Sequence, residues 1–279
     1  MKTSAYAAVA AAGAGLLIAA GLLWWHERST PVPLADVPAF APAAVPTPPV
    51  AGAGSEPMIR HPISEAPVAQ APQAPADVAS ALDALFGSKA VREMFRPDDF
   101  ARRFVATIDN LGRAQAPPAL WPVEPPGGRA IVQSSDDALS LAADNGTRYT
   151  PYVLVLETVD LRRAAAAYAQ LYPHFQQAYE ELGYPKRYFN DRLVEVLDLL
   201  LATPEPSTAP KIHAPEVKGP TQPERPWLFY RFDDPSYEAL ASGQKLLLRM
   251  GPVNERRTKA RLAALRELVA KRDPPPARP

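Results

Sequence analysis

Cysteine is absent from this sequence of 279 residues, which excludes disulfide bonds, thiolate metal sites and cysteine nucleophiles. Histidine is scarce, and its four copies are scattered at His26, His61, His174 and His213. The sequence contains no H-E-x-x-H zinc motif, no G-x-S-x-G elbow, no phosphate-binding loop and no Rossmann glycine run. We therefore assign no catalytic residue, and we expect no metal and no cofactor. A pair of carboxylates brought together by the fold would still support acid–base catalysis.

Net charge is also absent, since 30 basic residues balance 30 acidic residues. A protein that binds nucleic acid through its phosphates normally carries a marked excess of lysine and arginine. We therefore expect no nucleic-acid partner for the chain as a whole.

Charged residues are missing from one long N-terminal run, residues 3–25. At about 1.5 Å per residue, a helix of this length crosses a hydrocarbon core of about 30 Å. Trp24 and Trp25 end the run, where aromatic residues suit the membrane interface. We interpret residues 1–28 as a transmembrane anchor. A cleaved signal peptide is the alternative, although no small-residue cleavage site follows the run directly, and either interpretation exports the rest of the chain.

Proline, in contrast, is abundant, with 34 copies. Twelve of them fall between Pro31 and Pro75, a density that is incompatible with a regular helix or strand. We predict that residues 29–76 are a disordered spacer rich in proline and alanine, with a proline-rich ligand for a partner domain as the less favoured alternative. Residues 273–279 are predicted to form a disordered tail.

Between these segments, residues 77–272 have the periodic apolar residues and the charges of one folded domain. We predict a mainly α-helical domain of about seven or eight helices. Strand patterns are confined to residues 130–133 and 227–232, so the β-structure is at most a small two-stranded element.

Caps indicate where several helices begin. Asp77, Asp160 and Asp234 each precede a stretch with helical periodicity, and a carboxylate at this position accepts hydrogen bonds from the first turn. We predict that the helix after Asp234 continues to residue 250.

Breakers indicate where helices end or bend. Gly251 followed by Pro252 should end one helix and begin the next. Pro173 lies within the long helix after Asp160, so we predict either a kink or two helices that meet there. We also predict a short helix over residues 135–143.

Five tyrosines lie in and after that long helix, at Tyr168, Tyr172, Tyr179, Tyr184 and Tyr188, and the last four are candidate binding residues. Tyrosine buries a large apolar ring and keeps a polar tip. If these rings lined a groove, sugar rings or the prolines of a peptide would stack on them. Core packing with the hydroxyl groups at the rim is the favoured interpretation.

Three acidic residues, Asp191, Glu195 and Asp198, share one face of the predicted helix over residues 188–201. Three carboxylates on one face would bind a hard cation or act in catalysis. Since the apolar residues of this helix lie opposite, a solvated face is favoured, with pairing to arginines as an intermediate interpretation.

Seven basic residues lie in or directly after the last predicted helix, at Arg256, Arg257, Lys259, Arg261, Arg266, Lys271 and Arg272, and the first five are candidate binding residues. Such a helix can bind phosphates or anionic lipid headgroups. An ordinary bundle helix with a cationic outer face is favoured.

Arginines and polar residues also share one short predicted helix, which carries Arg102, Arg103, Asp109 and Asn110. We interpret them as a buried arginine–carboxylate network with a structural role.

Three stretches carry a family resemblance: RRFVATIDNLGRAQ from Arg102, LYPHFQQAYEELGYPKRYFNDRLVEVLDLLLATPEP from Leu171, and ASGQKLLLRMGPVNERRTKARL from Ala241. Together they resemble the bacterial "domain of unknown function 3014" family over residues 82–268, and the second stretch is the specific one. The resemblance implies an N-terminal membrane helix followed by a proline-rich linker. It implies no activity, substrate or catalytic residue.

The layout and the resemblance together predict a single-pass protein of the bacterial inner membrane. Its N-terminus would be cytoplasmic and residues 29–279 periplasmic, with residues 3–25 in the membrane. We expect a non-enzymatic adaptor or scaffold that binds an envelope protein or a cell-wall polymer. One alternative is a carboxylate-dependent hydrolase of envelope polymer. The other is a cytoplasmic domain that binds lipid headgroups or nucleic acid.

Overall fold

The structure, a computed structural model, describes residues 59–63, 77–135, 138–214 and 229–270. They belong to one compact unit, Ser55–Pro279. The predicted anchor, the predicted tail and all of the predicted spacer except residues 59–63 lie outside the described residues. Within the described residues, no helix combines the length and the apolar character that a membrane span requires.

The described part of the chain is mainly helical, as the sequence predicts. Its α-helices are α1 (Val78–Phe86), α2 (Ser88–Met94), α3 (Phe100–Leu111), α4 (Thr150–Thr158), α5 (Leu161–Glu181), α6 (Phe189–Leu201), α7 (Pro235–Glu238) and α8 (Ser242–Val269). Two 3-10 helices lie between α3 and α4, at Pro118–Leu120 and Ala143–Arg148.

The predicted N-caps are confirmed. The Asp77 carboxylate accepts a hydrogen bond from the Ser80 amide at 2.8 Å, and the Asp160 carboxylate accepts from two amides of the first turn of α5. Asp234 caps α7 in the same way. These hydrogen bonds stabilise the ionised form and lower the pKa of each carboxyl group.

The two predicted helix breakers, Gly251 and Pro173, have different effects on their helices. Gly251 has φ 79° and ψ 160° inside α8, so α8 consists of two helical segments, as predicted. In contrast, α5 is continuous through Pro173, so the prediction of two helices meeting there is wrong. Proline removes only one hydrogen bond of the helix, and burial of Tyr172 and Phe175 on either side holds α5 together.

The predicted helix over residues 235–250 is also interrupted, between α7 and α8. The amide of Ser242 donates to the Arg113 carbonyl at 2.7 Å, and the Ser242 hydroxyl donates to the Asn110 carbonyl at 2.8 Å. The end of α3 therefore binds the first turn of α8, and this long-range contact fixes the interruption.

The β-structure is a four-stranded antiparallel sheet, not a two-stranded element. Its strands are β1 (Val132–Ser135), β2 (Ala138–Leu141), β3 (Lys211–His213) and β4 (Arg231–Phe232), in the order β1-β2-β3-β4. The predicted helix over residues 135–143 is wrong, because β1 and β2 pair from Val132 opposite Leu141 to Ser135 opposite Ala138. The two predicted strands are not partners and correspond to the opposite edges of the sheet.

The core is built around α6 and α8. The N-terminal end of α6 inserts Phe189 into an aromatic cluster from α3 and α5. Further along, Val196 and Leu200 of α6 pack with α4 and α8. Leu248 of α8 packs against the sheet residues Ile212 and Phe232. The first turn of α6 is consequently held rigidly by its neighbours.

Candidate functional site

The four predicted tyrosines pack together, but they do not line an open groove. Tyr172 and Tyr179 are buried in the aromatic cluster, while Tyr184 and Tyr188 lie partly buried at its edge. The rings of Tyr179 and Tyr184 stack with centroids 4.6 Å apart, and those of Tyr172 and Tyr188 lie 5.1 Å apart. The favoured interpretation therefore describes their positions: the rings pack in or at the edge of the core, and the hydroxyl groups of Tyr172, Tyr184 and Tyr188 make hydrogen bonds.

Burial raises the pKa of Tyr172 and of Tyr179 above that of a free phenol. Both hydroxyl groups therefore stay protonated at physiological pH. The Tyr172 hydroxyl donates to Gln176 at 3.0 Å and accepts from the Asn190 amide at 3.1 Å. This pair of bonds fixes the start of α6 against α5.

A short segment from the predicted spacer lies on the first turn of α6, and its backbone bends at Arg60 and His61. The Asp191 carboxylate accepts hydrogen bonds from the amides of Arg60 at 3.1 Å and His61 at 2.7 Å. The Tyr188 hydroxyl accepts from the amide of Ile63 at 3.0 Å. The side chain of Ile63 packs against the aromatic cluster. Residues 59–63 are thus part of the folded unit, although the sequence analysis assigns them to the spacer.

Asn190 completes this contact and is the residue that the sequence analysis missed. It is 0% exposed, and its Nδ2 donates to the His61 carbonyl at 2.8 Å and to the Val269 carbonyl at 2.9 Å. Its Oδ1 accepts from the Tyr168 hydroxyl at 3.2 Å. A signal for it exists in the sequence, because Asn190 precedes Leu193 and Leu197 by three and seven residues and so lies on the apolar face of α6. We call Tyr188, Asn190 and Asp191 the peptide site, since together they bind the main chain of residues 60–63.

The three predicted acidic residues do not form one cluster. Asp191 binds the segment described above, Glu195 pairs with Arg192 at 2.9 Å, and Asp198 pairs with Arg266 of α8. Among the residues that the structure describes, no group of three or more His, Asp or Glu side chains could hold a metal ion. The intermediate interpretation, pairing with arginines, applies to Glu195 and Asp198.

The predicted network around Asp109 exists, but with different partners. Asp109 is 4% exposed, and its carboxylate contacts Arg113 at 2.7 Å and Arg192 at 3.1 Å. Arg102 instead pairs with Glu181 at 3.1 Å, and Arg103 donates to main-chain carbonyl groups. Asn110 contributes its carbonyl to Ser242. The network therefore joins α3 to α6, because Arg192 comes from the first turn of α6.

Most of the predicted basic residues on α8 are occupied within the domain. Arg257 forms a two-point ion pair with Glu157, and Lys259 pairs with Glu205 at 2.6 Å. Arg261 donates to carbonyl groups at the end of α4, and Arg266 binds Asp198. Arg256 is exposed. These contacts stabilise the bundle and leave little of the cationic face for phosphates.

A buried carboxyl group on the same helix was also missed. Glu255 is 1% exposed, and its Oε1 has no hydrogen-bond partner among the described residues. Burial raises the pKa of Glu255 to about 7, because the loss of water outweighs the attraction of Lys259 and Arg256. The sequence offers no signal for this burial, since Glu255 lies among charged residues.

Comparison with known proteins identifies a family. The model of the family described as "Protein of unknown function (DUF3014)" matches residues 100–266, which is more than half of the chain. No curated protein and no solved structure matches the chain. The matched residues span α3 to α8 and include the peptide site and the Asp109 network, so the chain belongs to the DUF3014 family.

Proposed function

We propose that this protein is a non-enzymatic adaptor whose helical domain binds a short stretch of a partner polypeptide at the peptide site. One observation carries the proposal: Tyr188, Asn190 and Asp191 hold residues 60–63 by side-chain hydrogen bonds to main-chain groups. Bonds to the main chain give affinity with little demand on sequence. The position of Ile63 adds a preference for one aliphatic side chain.

The proposed location of this adaptor in the bacterial envelope, which we call its envelope setting, rests on the sequence. Residues 3–25 would anchor it in the bacterial inner membrane, with a cytoplasmic N-terminus and with residues 29–279 in the periplasm. In that setting the partner is an envelope protein. A cell-wall polymer fits less well, because the peptide site binds main-chain amide groups of a polypeptide.

The alternatives have weaker support. A carboxylate-dependent hydrolase needs acidic groups that act together on one substrate, whereas Asp191, Glu195 and Asp198 each bind a different partner. A domain that binds lipid headgroups or nucleic acid needs available cations, and most basic residues of α8 are paired within the domain.

Photo-cross-linking in intact cells tests the adaptor. A photoreactive amino acid replaces Lys186, an exposed residue between Tyr184 and Tyr188. We expect a cross-linked polypeptide that Asp191→Ala abolishes. Glu195→Ala, one turn further along α6 and also acidic, is the matched control and should preserve it. A cross-link that is insensitive to Asp191→Ala would contradict the proposed site.

A fusion of a reporter that is active only in the periplasm, joined after Pro279, tests the topology. An active reporter supports the envelope setting, and an inactive one would overturn it without affecting the peptide site.

A further inference from the structure

We infer that residues 60–63 are an intramolecular ligand that competes with the partner polypeptide for the peptide site. This inference rests on the proposed function, and it adds regulation of the same site. The protein would be closed to its partner while its own segment is bound and open when the segment dissociates.

The hydrogen bonds match the sequence of the segment. The main-chain donors are the amides of Arg60, His61 and Ile63. The residue that is skipped is Pro62, which has no amide hydrogen to donate. Proline also favours an extended conformation at the preceding residue, His61. The segment therefore presents its donors at the positions where the peptide site has acceptors.

The contact is small enough to be reversible. Only His61 and Ile63 of the segment are partly buried, while Arg60 and Pro62 are exposed. On the protein side, the acceptor Asp191 lies on a helix that Phe189, Leu193 and Val196 hold in the core. Regions with few buried apolar contacts open at low free-energy cost.

The covalent connection makes the segment an effective competitor. Thirteen residues link Ile63 to Asp77, the N-cap of α1. A connection of thirteen residues places the segment at an effective concentration on the order of 1 mM. A free peptide with a Kd of about 0.1 mM for the open site would therefore bind the closed protein about tenfold more weakly.

The experiment uses the full chain purified in detergent. The probe is a fluorescein-labelled synthetic peptide with the sequence of residues 57–66, PMIRHPISEA, and fluorescence anisotropy measures its binding. The variant Arg60→Pro/Ile63→Pro removes two of the donor amides. Its matched control, Arg60→Ala/Ile63→Val, changes the same two positions but keeps both amides and an aliphatic side chain at position 63.

We expect the proline variant to bind the probe about tenfold more tightly than the unmodified protein does, and the control to bind like the unmodified protein. Addition of Asp191→Ala to the proline variant should remove the gain. Equal binding by the proline variant and the unmodified protein, both sensitive to Asp191→Ala, would overturn the competition and leave the proposed function intact.

Two further outcomes are informative. If no variant binds the probe while circular dichroism shows an intact fold, the proposed function fails and the inference fails with it. If the proline variant unfolds, residues 60–63 are a fixed part of the fold and the inference is overturned.

Discussion

Glu255 is nearly inaccessible on α8, and the raised pKa of its carboxyl group links its protonation to folding. The unfolded chain keeps the ordinary pKa of 4.5, whereas the folded protein has a pKa of about 7. The folded state therefore binds the proton more tightly between these values. The resulting stabilisation is complete below pH 4.5 and is lost as the pH rises through 7.

Glu255→Gln tests this linkage, because glutamine keeps the size of the side chain and remains neutral at every pH. We expect the gain in the free energy of unfolding, relative to the unmodified protein, to be larger at pH 8 than at pH 5 by about 2 kcal/mol. Urea unfolding at both pH values measures it. Glu267→Gln, at an exposed position on the same helix, is the control. It should change the free energy of unfolding by the same small amount at both pH values. A gain that does not change with pH would show that Glu255 is ionised in the folded protein.

At the scale of elements, local chemistry explains where most helices begin and end. Asp77 and Asp160 accept hydrogen bonds from the first turns that they precede, and these interactions involve neighbours in sequence. Gly251 interrupts α8 because its φ of 79° and ψ of 160° are accessible essentially to glycine alone. The strands were harder to predict, because short stretches such as residues 138–141 have no clear period and depend on their partners.

Gly251→Ala isolates the backbone contribution at this interruption. An added methyl group would meet no atom within 4 Å, so the expected loss of about 1–3 kcal/mol in the free energy of unfolding comes from strain alone. Thermal or urea unfolding measures it. Gly127→Ala is the matched control, since that glycine also has open space and lacks a positive φ, and it should cost less than about 0.5 kcal/mol. Equal stabilities of the two variants would contradict the conformation of Gly251.

At the scale of the whole molecule, the sheet and the helices share one core. Phe232 of β4 and Leu248 of α8 belong to the same apolar cluster, and Arg249 lies over the Phe232 ring at 5.0 Å. Asn145 adds a polar connection, because its side chain accepts from the Ile131 amide and donates to the Arg249 carbonyl. We therefore expect the sheet and the helices to unfold together.

Phe232→Ala tests this coupling. Phe232 is 2% exposed, so its truncation should cost about 3–5 kcal/mol and should move the whole helical signal to lower urea in a single transition. Far-ultraviolet circular dichroism during urea unfolding measures both effects. Phe229→Ala, three residues earlier and 54% exposed, should change the stability by less than about 0.5 kcal/mol. A helical transition that stays in place for Phe232→Ala would indicate that the sheet unfolds independently.

The sequence by itself determined the helical class, the caps at Asp77 and Asp160 and the interruption at Gly251, because each of these depends on residues within one or two turns. It also selected Tyr188 and Asp191 as candidate binding residues. Only the tertiary structure decided which groups meet there. The contact of residues 60–63 with α6, the pairing of Asp109 with Arg192 and the burial of Glu255 all join or enclose residues that are far apart in the chain. Local patterns do not specify such partners, since these contacts arise only when the core brings α3, α6 and α8 together.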